Sequence, residues 1–268
     1  MELFRKIYEQ LLNNILKDSR YVKILVNAKL MNNSRLSINT ASGWGKEIFE
    51  VGIHIHPIYS IPFIPSSSIK GAFRRSFKEL SNKIKFVSEE EDLKALELIL
   101  LGSFIDKNNK LGVLNIENIQ NKEIRKIIED FIDKDEKSID EISGNLIFFD
   151  AFPYKININN GKIEIECPKD ILILDIINRH YDENEYFSDD LLKSGEYISP
   201  NPIIFYSIKE NTPFTLIFLI RKNIWEKSTI IKTSIITTLE YMLKITGLGA
   251  KTTYGYGRFN IDKIIIKS

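Results

Sequence analysis

The 268-residue sequence has one cysteine, three histidines and almost no net charge. The single cysteine, Cys167, excludes an internal disulfide framework and any zinc site built only from cysteines. No apolar run approaches the length of a membrane span and no secretory signal opens the chain, so we expect a soluble, cytoplasmic protein with no membrane partner. The apolar fraction of 43% supports a sizeable core, and the length allows one large domain or two small ones.

A net charge of +1 excludes a global electrostatic field that would attract nucleic acid. The charge is nevertheless uneven along the chain. Residues 66–86 contain six basic residues and one acidic residue, and residues 229–268 contain six basic and two acidic residues. Residues 87–141 contain eight basic and fifteen acidic residues. This pattern predicts two basic surfaces, separated in the sequence by a solvated acidic insertion.

Four of the 13 glycines fall within residues 247–257, which we call the glycine-rich loop. Clustered glycines indicate unusual backbone angles or close approach of a ligand, and the N–H groups of such turns can converge on an anion. The loop also offers a lysine, two hydroxyls and two aromatic rings, a set suited to phosphodiester and base contacts. The candidate RNA-binding residues here are Gly247, Gly249, Lys251, Thr252, Thr253, Tyr254, Gly255, Tyr256, Gly257 and Arg258.

The glycine-rich loop does not match a nucleotide-binding motif. A P-loop needs glycine immediately before the lysine and another five residues earlier, where this chain has Ala250 and Ile245. A dinucleotide fingerprint would need glycine in place of Thr252. The loop also follows a predicted helix and precedes a predicted strand, the reverse of a P-loop. A simple glycine-rich helix stop, with Gly247 in the left-handed αL conformation, remains an alternative.

A second basic segment begins after three prolines, at three consecutive serines. Residues 69–80 place apolar side chains on one helical face and basic side chains on another. The serines are expected to cap the N–H groups of the helix start, which is also a place where a phosphate can bind. Glycine in this turn costs about 1 kcal/mol relative to alanine, which close approach of a partner or tight helix–sheet packing would explain. The candidate RNA-binding residues are Ser67, Ser68, Lys70, Gly71, Arg74 and Arg75.

Hydrophobic periodicity predicts an α+β fold of ferredoxin-like (RRM-like) type, with an antiparallel sheet and helices on one face. We expect a single domain over 1–268, with an N-terminal helix extension over 1–20 and a mainly helical, acidic insertion over 81–145. The predicted helices cover 3–16, 69–80, 93–101, 123–132 and 229–246. The predicted strands cover 21–30, 48–55, 146–152, 162–166, 203–208, 214–220 and 256–266.

Several segments together resemble the RAMP proteins of CRISPR systems. Ile61–Arg74, read as Ile-Pro-Phe-Ile-Pro-Ser-Ser-Ser-Ile-Lys-Gly-Ala-Phe-Arg, resembles their Ile-Pro-Gly-Ser-Ser-Leu/Ile-Lys-Gly signature, with Ser66 in place of the usual glycine. The glycine-rich loop resembles their C-terminal loop. The segments that narrow the resemblance to the sixth subunit of the type III-B Cmr complex are 42–45, 50–52, 149–153, 175–181 and 202–205. Asn178 and Arg179 depart from the Thr-Pro pair common before the histidine in that family.

The resemblance implies an RNA-binding role rather than an enzyme. Members of that family cap the backbone of an RNA-guided antiviral effector complex, next to the 3′ part of the guide RNA. The implied partners are the CRISPR guide RNA, backbone RAMP subunits and small helical subunits, with target RNA as a further candidate. No cofactor and no metal are implied. Within this framework, Tyr254 or Tyr256 either stacks on a base or packs on the protein's own sheet.

Two other functions remain open from the sequence. His54 and His56 are two residues apart, so on a strand they share a face and could form a metal pair or a general acid–base pair. RNA-processing nucleases of similar fold use histidine as a general base, so the alternative is a metal-independent endoribonuclease acting through His54. Asp106 could correspond to a cutting aspartate, although it reads more simply as an exposed turn acid. A third possibility is an adaptor held by protein contacts alone.

Overall fold

A computed structural model describes residues 2–38, 52–103, 112–131, 138–139, 142–159, 162–179 and 201–268. The helices are α1 (Glu2–Lys17), α2 (Ser66–Lys83), α3 (Glu90–Leu101), α4 (Lys122–Glu129), α5 (Lys222–Lys227) and α6 (Thr229–Tyr241). The strands are β1 (Tyr21–Leu30), β2 (Leu114–Asn115), β3 (Ser138–Ile139), β4 (Leu146–Phe148), β5 (Lys155–Asn159), β6 (Lys162–Glu166), β7 (Leu172–Arg179), β8 (Asn201–Ile208), β9 (Pro213–Arg221) and β10 (Phe259–Lys267).

The central sheet has four antiparallel strands in the order β10-β1-β9-β4. With α2 between β1 and β4 and α6 between β9 and β10, this is the strand–helix–strand–strand–helix–strand arrangement of ferredoxin-like folds. The predicted α+β fold is confirmed. Three two-stranded sheets, β2–β3, β5–β6 and β7–β8, are additions to this core.

Strands β1 and β9 are buried along almost their whole length, because both faces of the sheet are covered. On one face, Phe73 and Phe77 of α2 and Leu239 of α6 pack in one core with Val26 and Phe218 of the sheet. Apolar residues on one stripe of each helix form this contact, as their spacing predicted.

The other face of the sheet is covered by α1 and the β5–β6 hairpin. Tyr8 and Leu12 of α1 and Ile156 of β5 pack with Leu25 and Ile217 of the sheet in a second core. The prediction that helices lie on one face therefore needs correcting, since α1 packs on the opposite one. RNA-recognition domains of similar topology stack bases on that open sheet face. Here it is occupied by the protein's own side chains.

A buried hydrogen-bond network fixes the β5–β6 hairpin to the sheet. Asn27 Nδ2 donates to the carbonyl of Ile156 at 2.8 Å, and the amide of Ile156 donates to Thr215 Oγ1 at 2.9 Å. Thr215 Oγ1 in turn contacts Asn27 Oδ1 at 2.5 Å. Because these polar groups are buried, losing one partner would leave another unsatisfied. The network therefore specifies one position for the hairpin.

Three predicted strands differ from the structure. Of the segment predicted over 48–55, only the part from Gly52 is described, and it has isolated bridge residues at Ile53 and Ile55 instead of a strand, with Ile55 bridging Pro62. Strand β4 ends at Phe148, because the chain then leaves the sheet and Ala151 bridges Ile64 instead. Strand β10 begins at residue 259 rather than 256, because the preceding residues form a turn. Among the described residues, no helix combines the length and apolar character needed to cross a membrane.

Candidate nucleic-acid interface

Helix α6 does not run regularly to residue 246 as predicted. It changes into a π-helical turn, Met242–Thr246, and stops at Gly247, whose amide donates to the carbonyl of Met242 at 2.7 Å. Gly247 has φ 78° and ψ 163°, which is a positive-φ stop but not the expected αL conformation. The stop directs the chain away from the helix axis and into the glycine-rich loop.

The two ends of the glycine-rich loop are held by backbone hydrogen bonds to the segment after β1. The amide of Gly257 donates to the carbonyl of Arg35, and the amide of Ala250 donates to the carbonyl of Ser37, each at 2.7 Å. Gly257 has φ +69°, and a Cβ there would lie 1.8 Å from the carbonyl oxygen of Leu248. Glycine is therefore required at this position by close backbone approach.

The middle of the glycine-rich loop presents its side chains to solvent. Thr252–Tyr254 form one turn of 3-10 helix between Lys251 and Gly255, which both have left-handed backbone angles. Tyr254 is 76% exposed, and Thr253 beside it is also exposed. A ring that projects this far can stack on a base, whereas it contributes little to the core.

Two cations, Lys251 of the glycine-rich loop and Arg258 directly after it, are not neutralised within the described part of the chain. No carboxylate there pairs with Lys251 or with Arg258, and the Nε group of Arg258 is buried without a hydrogen-bond acceptor. The ammonium of Lys251 lies 5.4 Å from the centre of the Phe205 ring, an attractive cation–π contact that leaves its charge uncompensated. These two charges are suited to binding an anionic ligand.

Tyr256 differs from Tyr254 although both belong to the same loop. Its hydroxyl donates to Asp175 Oδ2 at 2.5 Å. Burial, together with this hydrogen bond to a carboxylate, raises the pKa of Tyr256 above its ordinary value. The ring is thus held against the protein, and of the two tyrosines only Tyr254 is placed to stack on a base.

The start of α2 is capped by an aspartate and not by the serines. Pro65 immediately precedes the helix, and no serine side chain caps the helix start. Ser67 and Ser68 lie exposed in the first turn. The amide of Ser66 instead donates to Asp150 Oδ1 at 2.7 Å. A carboxylate at a helix start is favoured by the partial positive charge of the first amides, and the predicted serine capping is wrong.

Gly71 lies exposed in α2, and no atom comes within 4 Å of the place where its Cβ would be. Packing against the protein's own sheet therefore does not account for this glycine. Of the two explanations offered by the sequence, close approach of a partner is the one consistent with the open space. Lys70, beside it, is partly buried.

The arginines of α2 are bound within the protein. Arg74 Nε lies 3.3 Å from Glu97 Oε1 of α3, and Arg74 Nη2 donates to the carbonyl of Ser103 at 2.9 Å. Lys78 Nζ lies 3.7 Å from the same Glu97 oxygen. Burial raises the pKa of Glu97 despite these two cations. Arg74 therefore points to α3 and not along a free basic flank.

Arg75 is the residue that connects α2 to the glycine-rich loop. Its Nη2 donates to the carbonyl of Thr246 at 3.1 Å, immediately before Gly247. Its Nε also lies 3.9 Å from Glu79. The structure thus places the middle of α2 beside the start of the loop, where Thr246 Oγ1 also donates to Glu79 Oε2 at 3.4 Å.

The two histidines share a face, as predicted, and both pack around Phe63. The His54 and Phe63 ring centres are 4.5 Å apart, and the His56 and Phe63 ring centres are 5.4 Å apart. His54 Nδ1 is buried without a hydrogen-bond partner in the described residues, and His56 stacks on Tyr59. No group of three His, Cys, Asp or Glu residues within the described ranges is arranged to hold a metal. Asp106 and His180 lie outside these ranges, as does the 42–45 segment.

Sequence reasoning missed four residues that support the candidate interface: Arg35, Asp150, Asp175 and Phe205. Each acts through a partner distant in the sequence; for example, Asp150 caps a helix that begins 84 residues earlier. Three of them did belong to segments noted for family resemblance, 149–153, 175–181 and 202–205. That signal could have marked them as structurally important but not their partners.

Comparison with known proteins gives matches over most of the chain. The sequence model of the RAMP superfamily matches residues 33–260. The protein named CRISPR system Cmr subunit Cmr6 from Pyrococcus furiosus is 26% identical over 279 residues, covering 96% of this chain and 72% of that protein. The Cmr6 subunit from Saccharolobus solfataricus is 25% identical over 260 residues, covering 97% of this chain and 65% of that protein.

Among solved structures, a chain of the type III-B Cmr-beta complex bound to cognate target RNA has a similar fold. The TM-score is 0.57 at 21% identity, covering 98% of this chain and 66% of the matched chain. The present chain thus spans less than two thirds of the length of the Saccharolobus relative and of this matched chain. At this identity, the likeness supports the fold.

Proposed function

The chain belongs to the RAMP superfamily, and from that premise we propose that it is the Cmr6-like, RNA-binding subunit of a type III-B CRISPR effector complex. It would cap the backbone of RAMP subunits near the 3′ part of the guide RNA, without cutting RNA itself. The similarity to two Cmr6 proteins over nearly the whole chain supports the assignment to this complex.

One observation carries the RNA-binding part of the proposal: two cations without a carboxylate partner in the described residues accompany an exposed tyrosine. Lys251 precedes the turn that presents Tyr254, and Arg258 directly follows the glycine-rich loop. Phosphates would bind the cations and an unstacked base would bind the ring. Phosphate contacts and ring stacking do not distinguish one base from another, so we expect binding to depend weakly on the RNA sequence.

Salt dependence of RNA binding tests this surface. Each neutralised phosphate contributes a slope of about −0.7 to the logarithm of affinity against the logarithm of salt for a single strand. Replacing Lys251 and Arg258 together with glutamine should lower affinity for single-stranded guide RNA and make the slope shallower by about 1.4. Lys263→Gln, an exposed lysine on β10, is the matched control and should change neither. An unchanged slope in the double variant would exclude the loop as the phosphate contact.

Assembly with the complex is tested separately. Co-expression with the remaining Cmr subunits, followed by purification, mass spectrometry and RNA sequencing, should recover this chain with backbone subunits and guide RNA. If assembly and RNA content stay normal in the Lys251→Gln, Arg258→Gln variant, the adaptor function held by protein contacts is the better description.

The non-catalytic part of the proposal is supported by the setting of His54. Its ring packs on Phe63 and one ring nitrogen is buried, whereas a general base must reach the hydroxyl that it deprotonates. Incubating the pure protein with repeat RNA in EDTA should leave the RNA intact. Site-specific cleavage that disappears in His54→Ala would instead establish the endoribonuclease.

A further inference from the structure

One buried carboxylate, that of Asp175, connects the glycine-rich loop to the β7–β8 hairpin and to the segment after β1. Asp175 is 3% exposed. Its Oδ2 accepts hydrogen bonds from Tyr256 at 2.5 Å and from Ser207 at 3.2 Å. Its Oδ1 pairs with the guanidinium of Arg35 and accepts from the amide of Ile176 at 2.9 Å. Both oxygens are therefore saturated by groups from four different places in the chain.

The β7–β8 hairpin makes a second contact with the glycine-rich loop, through the residue that pairs with Asp175 across the two strands. Asp175 of β7 is directly opposite Phe205 of β8 in the strand register. Phe205 is fully buried, and its ring supports the ammonium of Lys251. We call residues 251–256 the central turn of the loop. One cross-strand pair thus contacts both ends of this turn, through Lys251 and through Tyr256.

The central turn has few other connections to the rest of the protein. The turn's own hydrogen bonds join Tyr254 and Tyr256 to the carbonyl of Lys251. From the segment after β1, Ser34 Oγ donates to the carbonyl of Gly255 in the turn at 2.8 Å. The central turn contains two residues with left-handed backbone angles, Lys251 and Gly255, so its release would increase the conformational entropy of the chain. The hydrogen bond from Tyr256 to Asp175 is therefore a major constraint on where the exposed ring of Tyr254 points.

We propose that Asp175 is a positioning residue for RNA binding: through Tyr256 it holds the central turn so that Tyr254 and Lys251 are preorganised for the ligand. The inference rests on the proposed RNA-binding function. Preorganisation lowers the entropy that binding must otherwise supply, so it raises affinity without adding a contact to the ligand. Asp175 itself is too buried to meet RNA, which separates its role from that of the loop cations.

The variants are Asp175→Asn and Tyr256→Phe, each alone and combined, with Tyr241→Phe as the matched loss of a hydroxyl outside the loop. Tyr241 binds Lys83 on the exposed side of α6. Each single variant should weaken single-stranded RNA binding about tenfold, the size expected for loss of a hydrogen bond to a charged group. The salt slope should stay at the wild-type value, since no phosphate contact is lost. The double variant should bind RNA no worse than Asp175→Asn alone, because the hydrogen bond that Tyr256→Phe removes is one that Asp175→Asn already weakens.

Hydrogen exchange gives a readout that is independent of RNA. The amides of Tyr254, Gly255 and Tyr256 should exchange faster in both single variants, with β1 and β9 unchanged. Additive losses in the double variant, or wild-type affinity and exchange in either single one, would overturn the positioning role. If the wild-type protein binds no RNA, the proposed function fails, while the exchange result still decides whether Asp175 fixes the turn.

Discussion

Arg74 and Lys78 of α2 lie 3.3 Å and 3.7 Å from the buried carboxylate of Glu97, whereas Lys251 of the glycine-rich loop and Arg258 directly after it pair with no carboxylate in the described part of the chain. The two regions look alike in sequence, since each combines glycine, hydroxyls and basic residues. In α2 the cations stabilise the contact with α3. In and beside the loop no described carboxylate neutralises them, which is why we propose that they bind RNA. The number of basic residues in a segment therefore does not predict how many of them lack a carboxylate partner in the folded protein.

The largest expected effect concerns the backbone of the glycine-rich loop at Gly257, where an added Cβ would meet the carbonyl of Leu248. Gly257→Ala should destabilise the protein by about 3–5 kcal/mol, because a positive φ and a contact with backbone must both be relieved. Gly255→Ala is the matched control: its φ is +88°, but no atom lies within 4 Å of its Cβ position. It should cost only about 1–2 kcal/mol. Chemical denaturation of both variants measures the difference, and equal losses would contradict the proposed close approach.

The ion pair of α2 is tested by Arg74→Ala. The change should destabilise the folded protein by about 2–3 kcal/mol at neutral pH, because it removes one of the two cations beside a buried carboxylate. RNA binding should be nearly unaffected once folding is accounted for. A large loss of RNA affinity with unchanged stability would reverse the comparison, making Arg74 a ligand contact.

The pH dependence sharpens this result. Burial raises the pKa of Glu97 above its value in the unfolded chain, so the folded state binds this proton more tightly. Stability from this group is fully present below the unfolded pKa and is lost as pH rises through the folded pKa. The loss in Arg74→Ala should accordingly shrink as pH falls from 7 towards the ordinary glutamate pKa of about 4.3. Adding Glu97→Gln should remove that pH dependence, which denaturation at several pH values would measure.

Local signals predicted much of the fold and part of the candidate site. Periodicity identified α2, β1 and β9, because their buried faces repeat at helical or strand spacing. Clustered glycines identified the loop, since Gly257 is required by the backbone itself. Partners distant in sequence were beyond such signals. Neither the capping of α2 by Asp150 nor the bond between Tyr256 and Asp175 has a fixed spacing, and the position of α1 depends on which sheet face remains uncovered.

The next effect in size concerns the exposed ring of Tyr254 in the glycine-rich loop. Tyr254→Ala should weaken single-stranded RNA binding by about 1–3 kcal/mol, or roughly 5- to 150-fold, if one base stacks on it. Stability should change by no more than about 0.5 kcal/mol, since the side chain is largely exposed. Tyr254→Phe keeps the ring and should bind like the wild type. Equal binding by the alanine and phenylalanine variants would mean that the loop binds phosphates alone.

The smallest expected effect concerns Gly71 of α2, where open space around the Cβ position is consistent with the approach of a partner. Gly71→Ala should stabilise the protein by about 1 kcal/mol, because alanine is the better helix former and its methyl group meets open space. RNA affinity should nevertheless fall, since that methyl would occupy the path by which a backbone approaches the second turn of α2. Asn82→Ala, exposed in the last turns of the same helix, raises helix propensity away from that path and should leave RNA affinity unchanged. If Gly71→Ala also binds RNA normally, α2 serves the loop only as a support, and the contrast between the two regions is complete.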